Sequence, residues 1–369
     1  MSNFKKYFYL SLIVSLINLA LILFFFFPRY THNDTPQYFS VISYLAGDKT
    51  AELFPYRILK PMPLLLGAAL APLIGIENTL IFQNIFFYIL LACLIYILVY
   101  QLYKNGKQAL YGVILSSTAY PMLAYGLASL TDLSGWFFYL LSVFIALNFP
   151  KNPTLKTTLA SGFAAGFGML FKESTAAAPI FFVSFIFITT QLPIKEKIKN
   201  ILIYGLVFLI PSLISGIVIY KIFSVSYLSW YEYAWSGAKS SGHFYLISPL
   251  RVMIEIGRVF LLGWIFFLLG IIKEFTIKNI ERIKVLAAFI LPSLSFFLWS
   301  YPHNRMIFIS APLLVSIGSF GLLRKCKNTR ISTFLELTLI SLYILVNYIV
   351  LEFLLRYGPV IQPPGTLFG

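Results

Sequence analysis

The chain has little charge and almost no cysteine for its length of 369 residues. Of its two cysteines, Cys93 lies in an apolar run and Cys326 in a basic one. Their spacing indicates neither a disulfide framework nor a metal cluster. Charged residues make up 11% and hydrophobic residues 59% of the sequence. Apolar runs long enough to cross a bilayer recur along it, so the composition indicates a polytopic membrane protein and excludes an ordinary soluble domain.

The formal net charge of +15 would favour a nucleic-acid partner in a soluble protein. Here most lysines and arginines lie in short connections between apolar runs, where basic residues mark the cytoplasmic side. We therefore expect membrane lipid, and no nucleic acid, as a partner. The first apolar run follows Lys5 and Lys6 and has no small-residue cleavage site after it. We interpret it as a retained anchor.

The apolar runs predict an all-α transmembrane bundle of about eleven spans in a single domain, 1–369. The predicted spans lie near 8–27, 79–103, 109–127, 133–149, 157–171, 174–191, 200–220, 253–272, 285–300, 306–323 and 332–353. Segment 58–76 is apolar too, but prolines interrupt it. If it is re-entrant or juxtamembrane, 17 of the 28 basic residues fall in cytoplasmic loops. If it crosses, the basic loops after it face outward, so the positive-inside rule favours a re-entrant segment and a cytoplasmic N-terminus.

On this topology the unusual charges all lie on the outer side of the membrane. That side carries a first loop at 28–57, the segment 58–76, short turns and a second long loop at 221–252. Its ionisable residues at the ends of apolar runs are Asp34, Arg57, Lys60, Asp132, Lys172, Glu173 and Arg305. Ionisable groups at membrane depth are costly and usually functional. Their shared side predicts a single reaction site.

Asp34 is the candidate catalytic residue of the first loop. A carboxylate there suits a general base for an acceptor hydroxyl or amine, or a ligand of a divalent cation. Helix capping is the structural alternative, and it is compatible with either role. Tyr38, Val41 and Leu45 follow at the spacing of one apolar face of a short interfacial helix.

The basic residues have a binding interpretation and a plainer one. Arg57 and Lys60 suit a lipid phosphate or diphosphate, whereas snorkelling at the membrane boundary is the alternative. Lys172 lies in a very short turn beside Glu173, with which it would simply pair. Arg305 would hold a phosphate, or close a salt bridge to Asp132 or Glu173.

Asp132 and the histidines are harder to assign from the sequence. Capping of the helix that follows is the structural alternative for Asp132. The histidines His32, His243 and His303 all fall on the outer side with Asp34 and Asp132, but they lack recognisable ligand spacing, so no metal is assigned. In the second long loop, Trp230, Tyr231, Tyr233 and Trp235 favour an interfacial aromatic belt over sugar stacking.

The order of these motifs resembles the GT-C-fold membrane glycosyltransferases. HNDTPQY lies in the first outer loop, PYRILKP enters a membrane segment, LTDLSGWFF precedes a Phe-rich span, and FKES forms a turn. The resemblance covers most of 28–191, and YPHNRM is similar to a late arginine-bearing segment of some members. It implies a sugar donor linked to polyprenyl phosphate, a lipid, glycan or protein acceptor, and a site at the outer face of the membrane. The richness in Lys, Ile and Phe indicates a prokaryotic plasma membrane.

The resemblance also implies residue roles. Asp34 matches the first-loop acid that serves as base, or as metal ligand in metal-dependent members. The carrier phosphate would be held by Arg57, Lys60, Lys172 and Arg305. The remaining substrate-binding candidates are Tyr38, Asp132, Glu173 and His303. Thr35 follows Asp34 where several members have an Asp–Glu pair, so no cofactor is assigned and a divalent cation stays an alternative.

Two other classes share parts of this pattern. A transporter or flippase is expected to hold ionisable residues near mid-membrane, often with repeat symmetry. Apart from Glu255 and Arg258, the mid-span positions are apolar and no repeat stands out, which favours a transferase. A polymerase of lipid-linked saccharides would have the same outer cationic site, and the sequence does not separate it from a transferase.

Overall fold

The computed structural model describes residues 3–25, 34–148, 152–240, 249–299, 303–323 and 329–357. Within these ranges the chain forms helices joined by turns and short irregular segments, with no strand among them. The all-α prediction is therefore confirmed. The long helices pack into one bundle, and short helices and turns collect near the ends of several of them.

The α-helices follow one another in the order α1 (Asn3–Phe25), α2 (Thr35–Leu45), α3 (Pro61–Ile74), α4 (Ile76–Tyr103), α5 (Gly106–Ser117), α6 (Asp132–Leu147), α7 (Leu155–Met169), α8 (Ala177–Thr189), α9 (Ile194–Phe223), α10 (Tyr227–Ser240), α11 (Pro249–Phe260), α12 (Gly263–Ile277), α13 (Ile280–Ala288), α14 (Ile290–Ser293), α15 (Asn304–Ile307), α16 (Ala311–Leu322) and α17 (Thr329–Tyr357). Short 3-10 turns occupy Pro55–Arg57, Glu173–Ala176, Ser295–Leu298 and Phe308–Ser310, and a π turn occupies Met122–Gly126.

Among the described residues, five helices are long and apolar enough to cross a membrane: α1, α4, α9, the run Asn304–Leu322 and most of α17. Helices α11 and α12 together form a sixth candidate, bent by 81°. Helices α3 and α6 and the run Glu173–Thr189 are apolar but shorter. The multi-pass architecture is thus clear, whereas the number of eleven spans stays a prediction.

Three of the predicted spans are interrupted. The span 109–127 ends as α5 at Ser117, before the π turn, and 285–300 is divided into α13, α14 and a 3-10 turn. Pro121 and Pro292 lie at these breaks, and proline lacks the N–H that a continuous helix needs. The span 253–272 breaks between α11 and α12, where Leu261 has a left-handed φ of 42°. The second predicted outer loop, 221–252, contains α10 and the start of α11.

Helix α3 lies beside the first turns of α4. The Gln83 side chain donates to the Pro63 carbonyl oxygen at 3.1 Å, and Gly67 packs near Thr79. The other end of α4 packs on the start of α1, where Tyr96 donates to the Phe4 carbonyl oxygen. A helix of 14 residues rises about 21 Å, less than a hydrocarbon core of about 30 Å. That 58–76 does not cross stays a prediction, since α6, α7 and α8 are of similar length and lie in predicted spans.

Glycines allow α12 and α16 to cross at very short distance. A Cβ atom at Gly270 would lie 2.0 Å from the Ile317 carbonyl oxygen, and one at Gly321 would lie 1.9 Å from that of Phe266. Both obstacles are backbone atoms, so side chains cannot move aside to make room. The crossing holds α16 in place together with the turn that precedes it, and that turn carries Arg305.

Candidate functional site

The predicted site residues lie at helix ends or in turns, and their side chains meet at one end of the bundle. None of the seven charged ones exposes more than 21% of its side chain. They come from five separate parts of the chain, namely Asp34, then Arg57 and Lys60, then Asp132, then Lys172 and Glu173, and finally Arg305. We call these seven residues the charged network.

Asp34 lies between two guanidinium groups. Arg57 donates from Nη2 to Asp34 Oδ1 at 2.6 Å and from Nε to Gln37 Oε1 at 2.7 Å. Arg305 Nη1 is 3.6 Å from Asp34 Oδ2 and 3.8 Å from Asp132 Oδ2. The Arg57 contact is a charge-assisted hydrogen bond, whereas both Arg305 contacts are ion pairs beyond hydrogen-bond length.

A second series of ion pairs continues from Asp132 to Lys60. Lys172 Nζ is 3.3 Å from Asp132 Oδ1 and 3.5 Å from Glu173 Oε1. Lys60 Nζ is 3.1 Å from Glu173 Oε2. Lys172 and Glu173 therefore pair as their plainer interpretation expected, but each also has a partner in a distant part of the chain. Of the two acids considered for Arg305, Asp132 is its ion-pair partner.

Tyr38 lies between the two basic residues of PYRILKP. Its hydroxyl is 3.4 Å from Lys60 Nζ, which donates to it, and 3.4 Å from Thr131 Oγ1. The Arg57 guanidinium lies 5.1 Å from its ring centroid. Burial alone would raise the pKa of Tyr38, but the charges of Lys60, Lys172 and Arg57 outweigh burial and lower it. Tyr38 thus marks where the positive charge of the site concentrates.

Lys172 and Arg57 remain charged despite their burial. Burial would lower the pKa of Lys172, but Asp132 and Glu173 raise it above its usual value. Burial acts on Arg57 in the same direction, and Asp34 and Tyr38 raise its pKa in turn. Fixed positive charge is therefore present here at any pH near neutrality.

Helix capping does not account for the two aspartates. Asp34 occupies the N-cap position of α2, but its side chain makes no capping hydrogen bond. Asp132 is the first residue of α6, after Thr131 at the N-cap, and the Thr131 side chain makes no capping hydrogen bond either. Both carboxylates lie against the cations of the network.

The His303 side chain binds a backbone N–H group. Its Nδ1 accepts a hydrogen bond from the Arg305 N–H at 3.4 Å, which makes it the N-cap of α15, and its ring packs edge-on against Tyr125. Three contacts were not foreseen from the sequence: Gln37 with Arg57, Thr131 with Tyr38, and Glu255 with the Asn304 N–H. Of these residues, only Glu255 could be noticed in the sequence, because it is a charged residue inside an apolar run.

Aromatic residues of α10 border the charged network. The Trp230 ring centroid is 5.7 Å from Lys60 Nζ, and Trp230 packs edge-on against Trp299. Tyr233 stacks on Tyr56 at 5.1 Å. The aromatic segment predicted as an interfacial belt thus includes residues that lie beside the charged side chains.

The carboxylates of the charged network face cations. Among the described residues, no group of three His, Cys, Asp or Glu is placed to hold a metal ion. His32 and His243 lie outside the described residues. Each carboxylate oxygen of Asp34 faces a guanidinium group, so a metal ion at Asp34 would meet like charge.

Comparison with known proteins places these observations in context. The sequence matches the dolichyl-phosphate-mannose-protein mannosyltransferase family over residues 60–234, a range that includes Lys60, Asp132, Lys172 and Glu173. A search of curated proteins found no similar sequence.

Solved structures match over nearly the whole chain. The oligosaccharyltransferase of Archaeoglobus fulgidus in its apo form aligns with a TM-score of 0.61 and 13% identity, covering 97% of this chain and 57% of that one. The same enzyme tethered to an acceptor peptide with an NVT sequon aligns with a TM-score of 0.56 and 13% identity, covering 97% and 56%. This chain thus spans little more than half the length of those structures. At such low identity the likeness concerns the fold, and the chain is an integral membrane protein with the GT-C fold of membrane glycosyltransferases.

Proposed function

We propose that this protein transfers a sugar from a polyprenyl-phosphate carrier to an acceptor at the outer face of the plasma membrane. The charged network would bind the carrier phosphate, and Asp34 would act as the base. The family match and the shared fold support glycosyl transfer in general. The carrier and the base are argued from the network itself.

The main support is a buried excess of positive charge with unused hydrogen-bond donors. The network has four cations against three carboxylates, a net charge of +1. Arg305 Nε and Nη1 are buried and make no hydrogen bond to any other described residue. A buried charge without full compensation is costly, and a phosphate would supply both the missing negative charge and the acceptor atoms.

Phosphate binding would also release Asp34. In the arrangement described, Arg57 and Arg305 hold the Asp34 carboxylate on both sides. A phosphate that draws one guanidinium to itself would leave a carboxylate oxygen available to the acceptor. Donor binding would therefore prepare the base, and we expect the donor to bind before the acceptor.

The chemical step is a direct displacement at the anomeric carbon of the sugar. Asp34 takes the proton of the acceptor hydroxyl or amine, and the acceptor atom bonds to the anomeric carbon. The bond from that carbon to the phosphate oxygen breaks, and its electron pair leaves with the polyprenyl phosphate. The fixed cations stabilise the charge that develops on this leaving group, and the configuration inverts. A divalent cation has no part in the proposal.

Sugar transfer by the purified protein in lipid nanodiscs tests the proposal. A panel of radiolabelled polyprenyl-phosphate sugars is offered to the wild type and to Asp34→Asn and Arg305→Ala. The control is Lys156→Ala, an exposed position in the first turn of α7, at the opposite end of that helix from Lys172. Asp34→Asn should lower transfer at least about 100-fold. It should bind the donor as tightly as the wild type or more tightly, because it removes one negative charge from the network.

Arg305→Ala should weaken donor binding, and Lys156→Ala should change neither quantity. Wild-type protein that binds the donors but transfers from none of them, with binding insensitive to Arg305→Ala, would contradict the assignment. The transporter or flippase would then become the better interpretation.

A further inference from the structure

Glu255 is a buried carboxylate outside the charged network. It lies on α11 with 4% of its surface exposed. Its Oε2 accepts a hydrogen bond from the backbone N–H of Asn304 at 3.1 Å, and its Oε1 accepts one from Arg258 Nη1 at 3.1 Å. The first of these bonds joins α11 to the turn that carries Arg305.

The turn at Asn304 depends on this acceptor. The first N–H groups of a helix have no partner within the helix and need one outside it. At the start of α15, His303 Nδ1 accepts from the Arg305 N–H at 3.4 Å, a long bond, while Glu255 accepts from the N–H of Asn304. Asn304 is 1% exposed, so water cannot readily replace the carboxylate.

The position of this turn determines what Arg305 reaches. Its guanidinium approaches Asp34 and Asp132 at 3.6 and 3.8 Å, so its place depends on the backbone more than on tight side-chain bonds. A displacement of about 1 Å at a binding group can reduce an enzyme's rate about 100-fold.

We propose that Glu255 is a positioning residue: it fixes the Asn304 backbone and thereby sets the reach of Arg305 toward a phosphate. The consequence for carrier binding rests on the proposed function. The competing interpretation is a helical ion pair with Arg258 alone. Arg258 exposes 39% of its side chain, and exposed pairs of this kind contribute little.

Two substitutions of Glu255 separate reach from charge. Glu255→Gln loses the charge but keeps an acceptor oxygen at the same distance from the backbone. Glu255→Asp keeps the charge but withdraws it from Asn304 by one methylene. Arg258→Ala, the control, removes the ion pair and leaves the bond to Asn304. Each variant is measured in nanodiscs for amide hydrogen exchange over 303–310 and for binding of sugar-free polyprenyl phosphate.

Glu255→Asp should speed exchange at the Asn304 amide and weaken polyprenyl phosphate binding about tenfold. Glu255→Gln and Arg258→Ala should stay within about twofold of the wild type in both measurements. Glu255→Gln behaving like Glu255→Asp, or unchanged exchange in Glu255→Asp, would overturn the positioning role.

Failure of the proposed function gives a different result. Wild-type protein would then not bind polyprenyl phosphate, while the exchange data would still decide whether Glu255 holds the Asn304 amide.

Discussion

Residues of the charged network differ in how readily they can exchange partners. Arg57 makes short bonds to Asp34 and Gln37, whereas the contacts of Arg305 exceed hydrogen-bond length. A residue with unused donors changes partner at lower cost than one with all its bonds made. Arg305 is therefore the residue of the site that we expect to move most toward a bound phosphate.

Gly135 leaves the space that the network needs between α6 and the Lys172 turn. A Cβ atom there would lie 2.3 Å from Ser174 Oγ and 2.7 Å from Lys172 Cβ. We expect Gly135→Ala to displace Lys172 and to destabilise the protein by about 1–3 kcal/mol. Thermal unfolding and polyprenyl phosphate binding measure the two effects. Gly205→Ala, where no atom lies within 4 Å, is the control; equal stability of both variants would contradict the prediction.

Tyr38 should ionise at lower pH than an ordinary tyrosine. Its pKa lies below 10.0 because the positive charges around it outweigh its burial. Alkaline titration of the phenolate absorbance should show an ionisation below pH 10.0 that is missing in Tyr38→Phe. The stabilising contribution of the phenolate is absent below the folded pKa, grows as the pH rises through it and is complete above 10.0. Lys60→Gln should move this ionisation to higher pH, and a midpoint insensitive to Lys60 would contradict the explanation.

At the scale of helices, the crossing of α12 with α16 connects stability to the site. Gly270→Ala would place its Cβ atom 2.0 Å from a carbonyl oxygen, so the two helices must separate. We expect a loss of about 3 kcal/mol in unfolding free energy, together with weaker polyprenyl phosphate binding, because the Arg305 turn leads into α16. The matched control is Gly257→Ala on α11, where no atom lies within 4 Å. If Gly257→Ala lowers the unfolding free energy as much as Gly270→Ala, the effect comes from replacing any helical glycine, and the prediction is contradicted.

The helices also show what the sequence could and could not predict. Apolar runs located α1, α4 and α6 closely, because a run of that length has few other uses in a membrane protein. The hydropathy pattern alone did not reveal the division of 285–300, but Pro292 signals it. The bend at Leu261 has no comparable signal, since neither a proline nor a break in hydropathy lies there.

For the site, the sequence predicted which residues take part better than it predicted which of them contact each other. Charges at the ends of apolar runs stood out because burial makes them costly, and they do meet in one network. The pairing of Arg57 with Asp34, or of Lys60 with Glu173, depends on how the fold brings together turns that are distant in the chain. A single sequence carries no such information. The roles of these residues in substrate binding and catalysis remain predictions.

At the scale of the whole molecule, membrane orientation decides which compartment the site faces. The proposed orientation places Lys49 outside and Lys156 in the cytoplasm, and both are exposed. With Cys93 and Cys326 replaced by serine, a membrane-impermeant maleimide should label Lys49→Cys in intact cells and Lys156→Cys only after permeabilisation. The reverse pattern would invert the topology and move the site to the cytoplasmic face.

The wide spacing of the network along the chain has a consequence for synthesis. Asp34 emerges from the ribosome long before Arg305, one of its two cationic neighbours. At roughly 5–20 residues per second, that interval lasts on the order of tens of seconds. Arg57 follows soon after Asp34 and can pair with it early, but the guanidinium on the other side of the carboxylate is missing until then. The last helices to insert therefore complete a site whose first residue was made near the beginning.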